Sequence, residues 1–363
     1  MRPKKIILVL FVILFISVIF AVVLNYATTD GNSTILSKDL GSNDVSVAIT
    51  GDVMFGRKMP SVLSSGDPFR NVANVTKNAD ILLVNFENPV TTSSNVVKGD
   101  VALKASPEYT HLLAEANDNV VAAQANNHAF DYGLDGITDS LKNLKDADII
   151  AIGAGQNIEE ASEPAVIDVG DRKITILNYM DSDNFAEYSD AVMPKAGENK
   201  AGYAAYGSAL AKKQIQEASK DSSCVIVYVH YGNEYSRSPN EIQKKISHES
   251  IDYGADMVVG AHAHVTQGVE MYKGKPIFYN LGNFIFDQSN PATHRAYFLN
   301  LDLVGDEGKV TIYPIVISNY LPQYMDAASG KALLTELNPH CSNITVNNDG
   351  TGSLSFKLGN NSA

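Results

Sequence analysis

A chain of 363 residues, 45% of them hydrophobic, is long enough for one large domain or two modest ones. Its formal net charge of −13 excludes nucleic acid as a partner, because a phosphate backbone needs a Lys/Arg surface. The same charge argues against broad adhesion to anionic lipid.

Residues 6–24 carry no charge, and only Ser17 among them is polar. As a helix rising ~1.5 Å per residue, the run nearly matches the ~30 Å hydrocarbon core of a bilayer. Arg2, Lys4 and Lys5 precede it, and no Lys or Arg follows before Lys38. The positive-inside rule therefore makes residues 1–24 a cytoplasmic stub and transmembrane anchor. The expected protein is single-pass in the cell membrane, with its N-terminus cytoplasmic and its C-terminal domain extracellular. A signal-peptide reading fits less well, since Val23-Leu24-Asn25-Tyr26-Ala27 is a poor cleavage site. Residues 25–43, rich in Thr, Ser, Gly, Asp and Asn, read as a flexible linker.

The domain is expected over residues 44–320. Residues 45–50 are a strand by β-branched content and run into Gly51-Asp52. Asp67-Pro68 opens a helix to about residue 77. A strand at 81–84 ends in Asn85-Phe86-Glu87. Ser106-Pro107 opens a helix to about 117, and a strand at 120–123 ends in Asn126-Asn127-His128. A helix at 135–145 leads to a strand at 149–152. This alternation predicts an α/β domain with a partly parallel sheet. Residues 165–179 read as a hairpin turning at Gly170-Asp171, and 181–206 as an irregular insert. A helix at 209–219 precedes the strand 225–229 and His230; a helix at 239–253 precedes the strand 257–260. Strands near 268–272, 276–280, 296–304 and 309–317 complete the sheet antiparallel. Residues 321–363 are expected to be a C-terminal extension, a short helix and then a loose polar end. Cys224 and Cys341 can pair outside the membrane, although two free thiols are the leading expectation.

The strand exits gather chemistry. They carry Asp52, then Asn85 and Glu87, then Asn127 and His128, then His230, then His262 and His264. Ligands of α/β sheets bind beyond the carboxyl ends of strands, where the connecting loops converge. His262 and His264 stand two apart, so extended backbone would face both imidazoles into one cavity. Any one of these residues has a bland explanation as a turn former or a core histidine; five exits together make a metal site. No Gly-x-Ser-x-Gly elbow and no phosphate loop is present, which leaves serine-hydrolase and nucleotide-driven readings without support.

Gly51-Asp52-Val53-Met54-Phe55-Gly56-Arg57, Asn85-Phe86-Glu87, the run from Ala125 to Gly133, His230-Tyr231-Gly232-Asn233-Glu234-Tyr235, Gly260-Ala261-His262-Ala263-His264 and Leu281-Gly282-Asn283-Phe284 occur in this order. Together they resemble the CapA family of capsule synthesis proteins, associated with poly-γ-glutamate. The resemblance implies a metallophosphoesterase-like four-layer α/β/β/α sandwich, here preceded by one transmembrane helix. It implies Asp52, Glu87, Asn127, His230, His262 and His264 as ligands of one or two divalent metal ions (Mn, Zn or Fe). It makes His128 the acid that protonates a leaving oxygen, with Asp131 orienting it, and Arg57, Asn85, Glu234 and Asn283 candidates for substrate contact. Met54 stands where the superfamily pattern has a histidine ligand. Two functions follow from the resemblance. One is a hydrolase acting on an anionic polymer or phosphoester; the other is an accessory subunit of a capsule polymer synthesis or export complex.

Overall fold

The apolar runs become strands with both faces buried. Val45, Val47 and Ile49 face one apolar cluster while Ala48 faces another. Ile226 and Tyr228 join the first cluster, and Val225, Val227 and Val229 a third. This explains why these strands read as continuous apolar runs: parallel strands covered on both sides have no wet face to alternate with. The structure is a computed structural model, describing residues 36–38, 44–99, 101–186, 188–338 and 343–359. The expected anchor at 6–24 and most of the linker lie outside the described residues, as does Cys341. Among the described residues no helix is long and apolar enough to cross a membrane.

Among the described residues the strands form two large sheets, with a two-stranded ribbon of Ala154–Gly155 and Gly202–Tyr203 beside them. A seven-stranded sheet runs Leu36–Lys38, Ala165–Val169, Arg172–Met180, Cys224–His230, Met257–Ala261, Lys275–Phe278, Val269–Tyr272. A ten-stranded sheet runs Thr345–Val346, Gly352–Lys357, Glu307–Ser318, Arg295–Val304, Val45–Val53, Ile81–Phe86, Val120–Ala123, Ile150–Ile152. Asn283–Ile285 pairs with Val45–Val53 and Leu321–Tyr324 with Glu307–Ser318. The strand-rich core between the sheets draws on both of them. Helices Thr110–Ala114 and Gly133–Asp146 cover the outside of the larger sheet through Leu112, Leu113 and Leu144. Ser208–Asp221 and Glu241–Tyr253 cover the smaller through Ala211, Ile215, Ile246 and Ile251. The layers therefore run helix, sheet, sheet, helix.

Parallel pairing brings the carboxyl ends of Val45–Val53, Ile81–Phe86 and Val120–Ala123 to one edge. It does the same for Arg172–Met180, Cys224–His230 and Met257–Ala261 in the other sheet. Residues 279–282, passing from one sheet to the other, pack on both edges with no room for a side chain at Gly51 or Gly260. A Cβ on Gly51 would stand 1.9 Å from the Gly282 carbonyl oxygen, and one on Gly260 would stand 2.1 Å from that of Tyr279.

Two expectations change, and the leading one for Cys224 holds. The helix at 67–77 shrinks to Ala73–Thr76, because Asp67 Oδ1 accepts the Phe69 N–H at 2.7 Å and closes a turn in place of a first helical turn. The chain after residue 320 does not end loosely. Helix Ala327–Leu337 buries Leu333, Leu334 and Leu337 in the intersheet core, and Gly352–Lys357 is a full member of the larger sheet. Cys224 is a free thiol, buried in the core, and burial pushes its pKa up.

Candidate metal centre

Asp52 and Asn85 occupy matching positions near the ends of neighbouring strands, and Glu87 follows directly. His230 ends its strand, and His262 comes one residue after strand Met257–Ala261. The backbone at His262 and His264 is not extended, as the spacing suggested, but left-handed, with φ of 99° and 57°. Such backbone costs on the order of 1–3 kcal/mol for a residue with a Cβ and persists where surrounding structure holds it. The turn, not strand alternation, is what aims both rings inward, their centroids 6.2 Å apart.

Glu87 belongs to two clusters at once. Ligand atoms of Glu87, His230 and His262 all lie within 4.8 Å of one another, and so do those of Asp52, Glu87 and His264. All five side chains are buried. The Asn85 amide is wedged between the acids, donating to Asp52 Oδ1 at 2.7 Å and Glu87 Oε2 at 3.4 Å. Burial first, and then the Asp52 carboxylate, push Glu87 well above the ordinary carboxylate range. Burial holds His230 and His262 well below the ordinary imidazole range, with neighbouring histidines adding to it. Burial alone would lower His264 too, but its contact with Asp52 outweighs that and raises it.

Several of these atoms have acceptors or nothing for company. Asp52 Oδ2 and His262 Nδ1 are buried without a hydrogen-bond partner among the described residues. His264 Nδ1 does lie 3.1 Å from Asp52 Oδ2, but its hydrogen bond goes to Asn283 Oδ1 at 2.9 Å. Asn127 Oδ1 stands 2.9 Å from His230 Nε2. If the amide is turned over, its nitrogen donates to His230 Nε2 at 2.9 Å and Glu87 Oε1 at 3.3 Å. Converging imidazole nitrogens, carboxylates and an amide oxygen are a donor set suited to a divalent metal such as Mn, Zn or Fe. The residues fit the group.

Over this centre lies a cleft of about 570 Å³ whose walls include Asn127, His128, His264, Arg57, Lys98 and Glu234. His128 Nδ1 meets Asp131 Oδ2 at 2.6 Å, the same oxygen that accepts the Leu103 N–H at 2.6 Å. Burial pushes Asp131 up to about 7, and holds His128 well below the usual imidazole value. Arg57 donates to Asp287 and lies over the Phe286 ring, 5.4 Å from its centroid. Glu234 is exposed at the rim.

Asn85 and Asn283, expected to touch substrate, are buried and do not line the cleft. They sit behind the ligand side chains, Asn85 between the acids and Asn283 on His264. Met54 is also away from the centre. It packs in the outer apolar cluster, with Sδ accepting the Gly56 N–H at 2.9 Å. Three neighbours were not legible in the sequence. Phe185 packs 4.8 Å from His262 and Phe286 5.0 Å from His264, ring centroid to centroid. Lys98, buried beside Asn127, comes from a stretch with no periodicity to signal it.

Residues 46–288 match the family described as bacterial capsule synthesis protein PGA_cap. This chain belongs to that family. The protein named PGA biosynthesis protein CapA, from Bacillus subtilis (strain 168), is 32% identical over 82% of this chain and 78% of its own length. Capsule biosynthesis protein CapA of Bacillus anthracis is 31% identical over 79% of this chain and 71% of its own. Solved structures offer looser likenesses. TT1561 of Thermus thermophilus has a TM-score of 0.37 at 13% identity, covering 70% of this chain and 93% of that one. Vacuolar protein sorting 29 of Cryptosporidium parvum has a TM-score of 0.31 at 15% identity, covering 78% and 96%. At those scores they add nothing to the layer order described above.

Proposed function

We infer that this PGA_cap member acts in poly-γ-glutamate or related capsule polymer synthesis as a metal-dependent hydrolase of metallophosphoesterase-like fold. The observation that carries the reading is the pair of buried ligand clusters joined at Glu87. Asp52, Glu87 and His264 would hold one divalent ion, and Glu87, His230 and His262, with Asn127, a second. Bound metal would supply Lewis acidity and an activated water for attack on a phosphoester or comparable bond. The chain's own residues do the rest. Asp131 takes the Nδ1 proton of His128 into a hydrogen bond, which fixes the tautomer and leaves the Nε2 lone pair to collect the attacking water's proton and hand it to the leaving oxygen. Asn85 and Asn283 fix the rotamers of the acids and of His264, as outer-shell partners of ligands do. Phe185 and Phe286 keep water from the imidazoles. Arg57, tethered by Asp287, offers its remaining donors to an anionic substrate.

Residues 6–24 anchor the protein in the cell membrane in this reading, with the domain outside and within reach of synthase or export subunits. The apolar run and the Arg2, Lys4 and Lys5 flank support that orientation.

The test is metal content per chain of the full-length protein in detergent, beside a His262→Ala/His264→Ala variant shown to be folded. Close to two divalent ions in the wild type, lost in the variant, with phosphate released from a phosphoester panel only by the former, supports hydrolysis. A wild type that stays metal-free after reconstitution with manganese, zinc and iron sinks it, and an accessory role in the polymer machinery replaces it.

A further inference from the structure

Two lysines are buried among the described residues, Lys98 and Lys275. Lys275 Nζ uses its full donor capacity: Asp256 Oδ1 at 2.6 Å, the Lys357 carbonyl at 2.6 Å and the Gly359 carbonyl at 2.8 Å. Lys98 does not. It donates to the Asn127 carbonyl at 2.6 Å, while the nearest carboxylate oxygen, Asp131 Oδ1, lies 3.7 Å away. An ammonium carries three donors, and a buried donor left unpaired is costly.

The position of Lys98 is nonetheless fixed. Val97 and Lys98 N–H groups both reach the Asp131 carbonyl, and Leu103 N–H reaches its carboxylate, so one residue holds all three. Tyr188 covers the ammonium from outside, 5.1 Å away at its ring centroid. Burial lowers its pKa, and the carboxylates of Asp131, Glu87 and Glu234 offset part of that. A lysine amine has been placed in the cleft wall with one hydrogen bond and donors to spare.

The Asn127 amide then divides the site. When Oδ1 turns toward His230 and the metal cluster, the amide nitrogen is left 3.3 Å from Lys98 Nζ. On one side of the amide, acceptors converge without a proton between them. On the other, the amide nitrogen and the ammonium face each other, with Asp131 Oδ1 beyond hydrogen-bond distance at 3.7 Å from Nζ. The first arrangement calls for a cation, and the second calls for an anionic oxygen.

We propose that Lys98 Nζ and Asn127 Nδ2 form an anion subsite, beside His128, for a carboxylate or phosphoryl oxygen of the substrate. The proposal rests on the metal reading, because without a cation the amide turns over and its oxygen satisfies Lys98 at 3.3 Å. Cation loading and anion binding are thereby coupled through one side chain. The subsite also shows how an acidic protein accommodates an acidic substrate: the attraction is local and short-ranged, and a charge-assisted hydrogen bond is about twice as strong as a neutral one.

The experiment titrates the metal-loaded full-length protein, in phosphate-free buffer, with inorganic phosphate and separately with glutarate. Wild type, Lys98→Met and Lys58→Gln are compared, the last removing a cation that lines the same cleft. Metal content and thermal melting are recorded on the same samples. The expected result is binding weakened tenfold or more by Lys98→Met and less than threefold by Lys58→Gln, with metal content unchanged. The probe that suffers more identifies the oxyanion, phosphoryl or carboxylate. Equal affinity in wild type and Lys98→Met, with metal intact, overturns the subsite and leaves the metal centre standing. A Lys98→Met protein melting far below the wild type makes Lys98 a structural cation like Lys275, and also overturns it; Lys98→Gln must then melt low as well. A wild type without metal overturns both readings together.

Discussion

Strand Met257–Ala261 has Asp256 directly before it and His262 directly after it, and the polar groups at its two ends are satisfied very differently. At the amino end, Asp256 takes Lys275 on Oδ1 at 2.6 Å, the Gly359 N–H on Oδ1 at 3.0 Å and the Val225 N–H on Oδ2 at 3.0 Å. Both members of that pair are saturated. At the carboxyl end, Asp52 Oδ2 and His262 Nδ1 have no hydrogen-bond partner among the described residues, and an amide oxygen faces an imidazole nitrogen. The lesson concerns burial itself. A buried polar cluster that closes all its bonds holds the fold, whereas one that leaves atoms of a single kind facing each other is waiting for something from outside.

That contrast can be broken most forcefully at the closed end. Lys275→Met strands a buried carboxylate, and should lower stability by ~3–5 kcal/mol, read as a shift in urea midpoint. A change below ~1 kcal/mol would show that the closed cluster does not carry the fold. At the open end the order reverses. Saturating divalent metal at a hundredfold excess over Kd should add ~2.7 kcal/mol per bound ion to the wild type and nothing to the His262→Ala/His264→Ala variant. The metal-free variant should be at least as stable as the metal-free wild type, since it gives up two imidazoles buried for a ligand. Asn283→Ala should then cost ~10–100-fold in metal affinity by isothermal titration, because His264 loses the acceptor that fixes its ring. Unchanged affinity would reduce Asn283 to a packing residue.

The smallest effect is a slope with pH. Asp131 holds its proton to about 7 in the folded chain, against an ordinary value of 3.8. Between those values the folded state binds more protons than the unfolded one. The contribution of Asp131 to stability is therefore complete below the lower value and is lost as pH rises through the upper. Metal-free wild type should lose relative stability against Asp131→Asn over that window, by at most ~1.4 kcal/mol per pH unit. The variant comparison separates this from the buried neutral histidines, which act with the opposite sign as pH falls. A difference that stays flat from pH 4 to pH 7 would refute the buried, protonated carboxyl.

How far the sequence reaches depends on the kind of signal. The strand exits were legible because apolar runs stop abruptly at Gly, Asp or His, and a parallel strand must end where its partner ends. The hairpin at Ala165–Val169 and Arg172–Met180 was legible from Gly170-Asp171 between two alternating runs. The division of the strands between two sheets was not legible, since nothing local in Val225 or Ile81 says which neighbour it will pair with. Gly352–Lys357 was overlooked in an Asn-rich tail although Leu354 and Phe356 alternate with Ser353, Ser355 and Lys357. There a real period-two signal was outweighed by composition. In the site, residue types were readable and backbone shape was not: His262 and His264 adopt a conformation that their spacing does not announce. Lys98 had no signal at all, because its position is set by hydrogen bonds to Asp131.

The strand order also dictates when the molecule can come into being. Val45–Val53, which carries Asp52, lies between Ile81–Phe86 and Arg295–Val304, and its end pairs with Asn283–Ile285. One of its edges therefore stays open until the ribosome has passed residue 304, a wait on the order of tens of seconds at ~5–20 residues per second. Asp52 and Glu87 emerge early, the histidine turn much later, and the strands that lock them together last. An early fragment holds Asp52 and Glu87 without His230, His262 or His264. The full set of these side chains is present only once the chain has passed the histidine turn, shortly before the strand that closes the sheet.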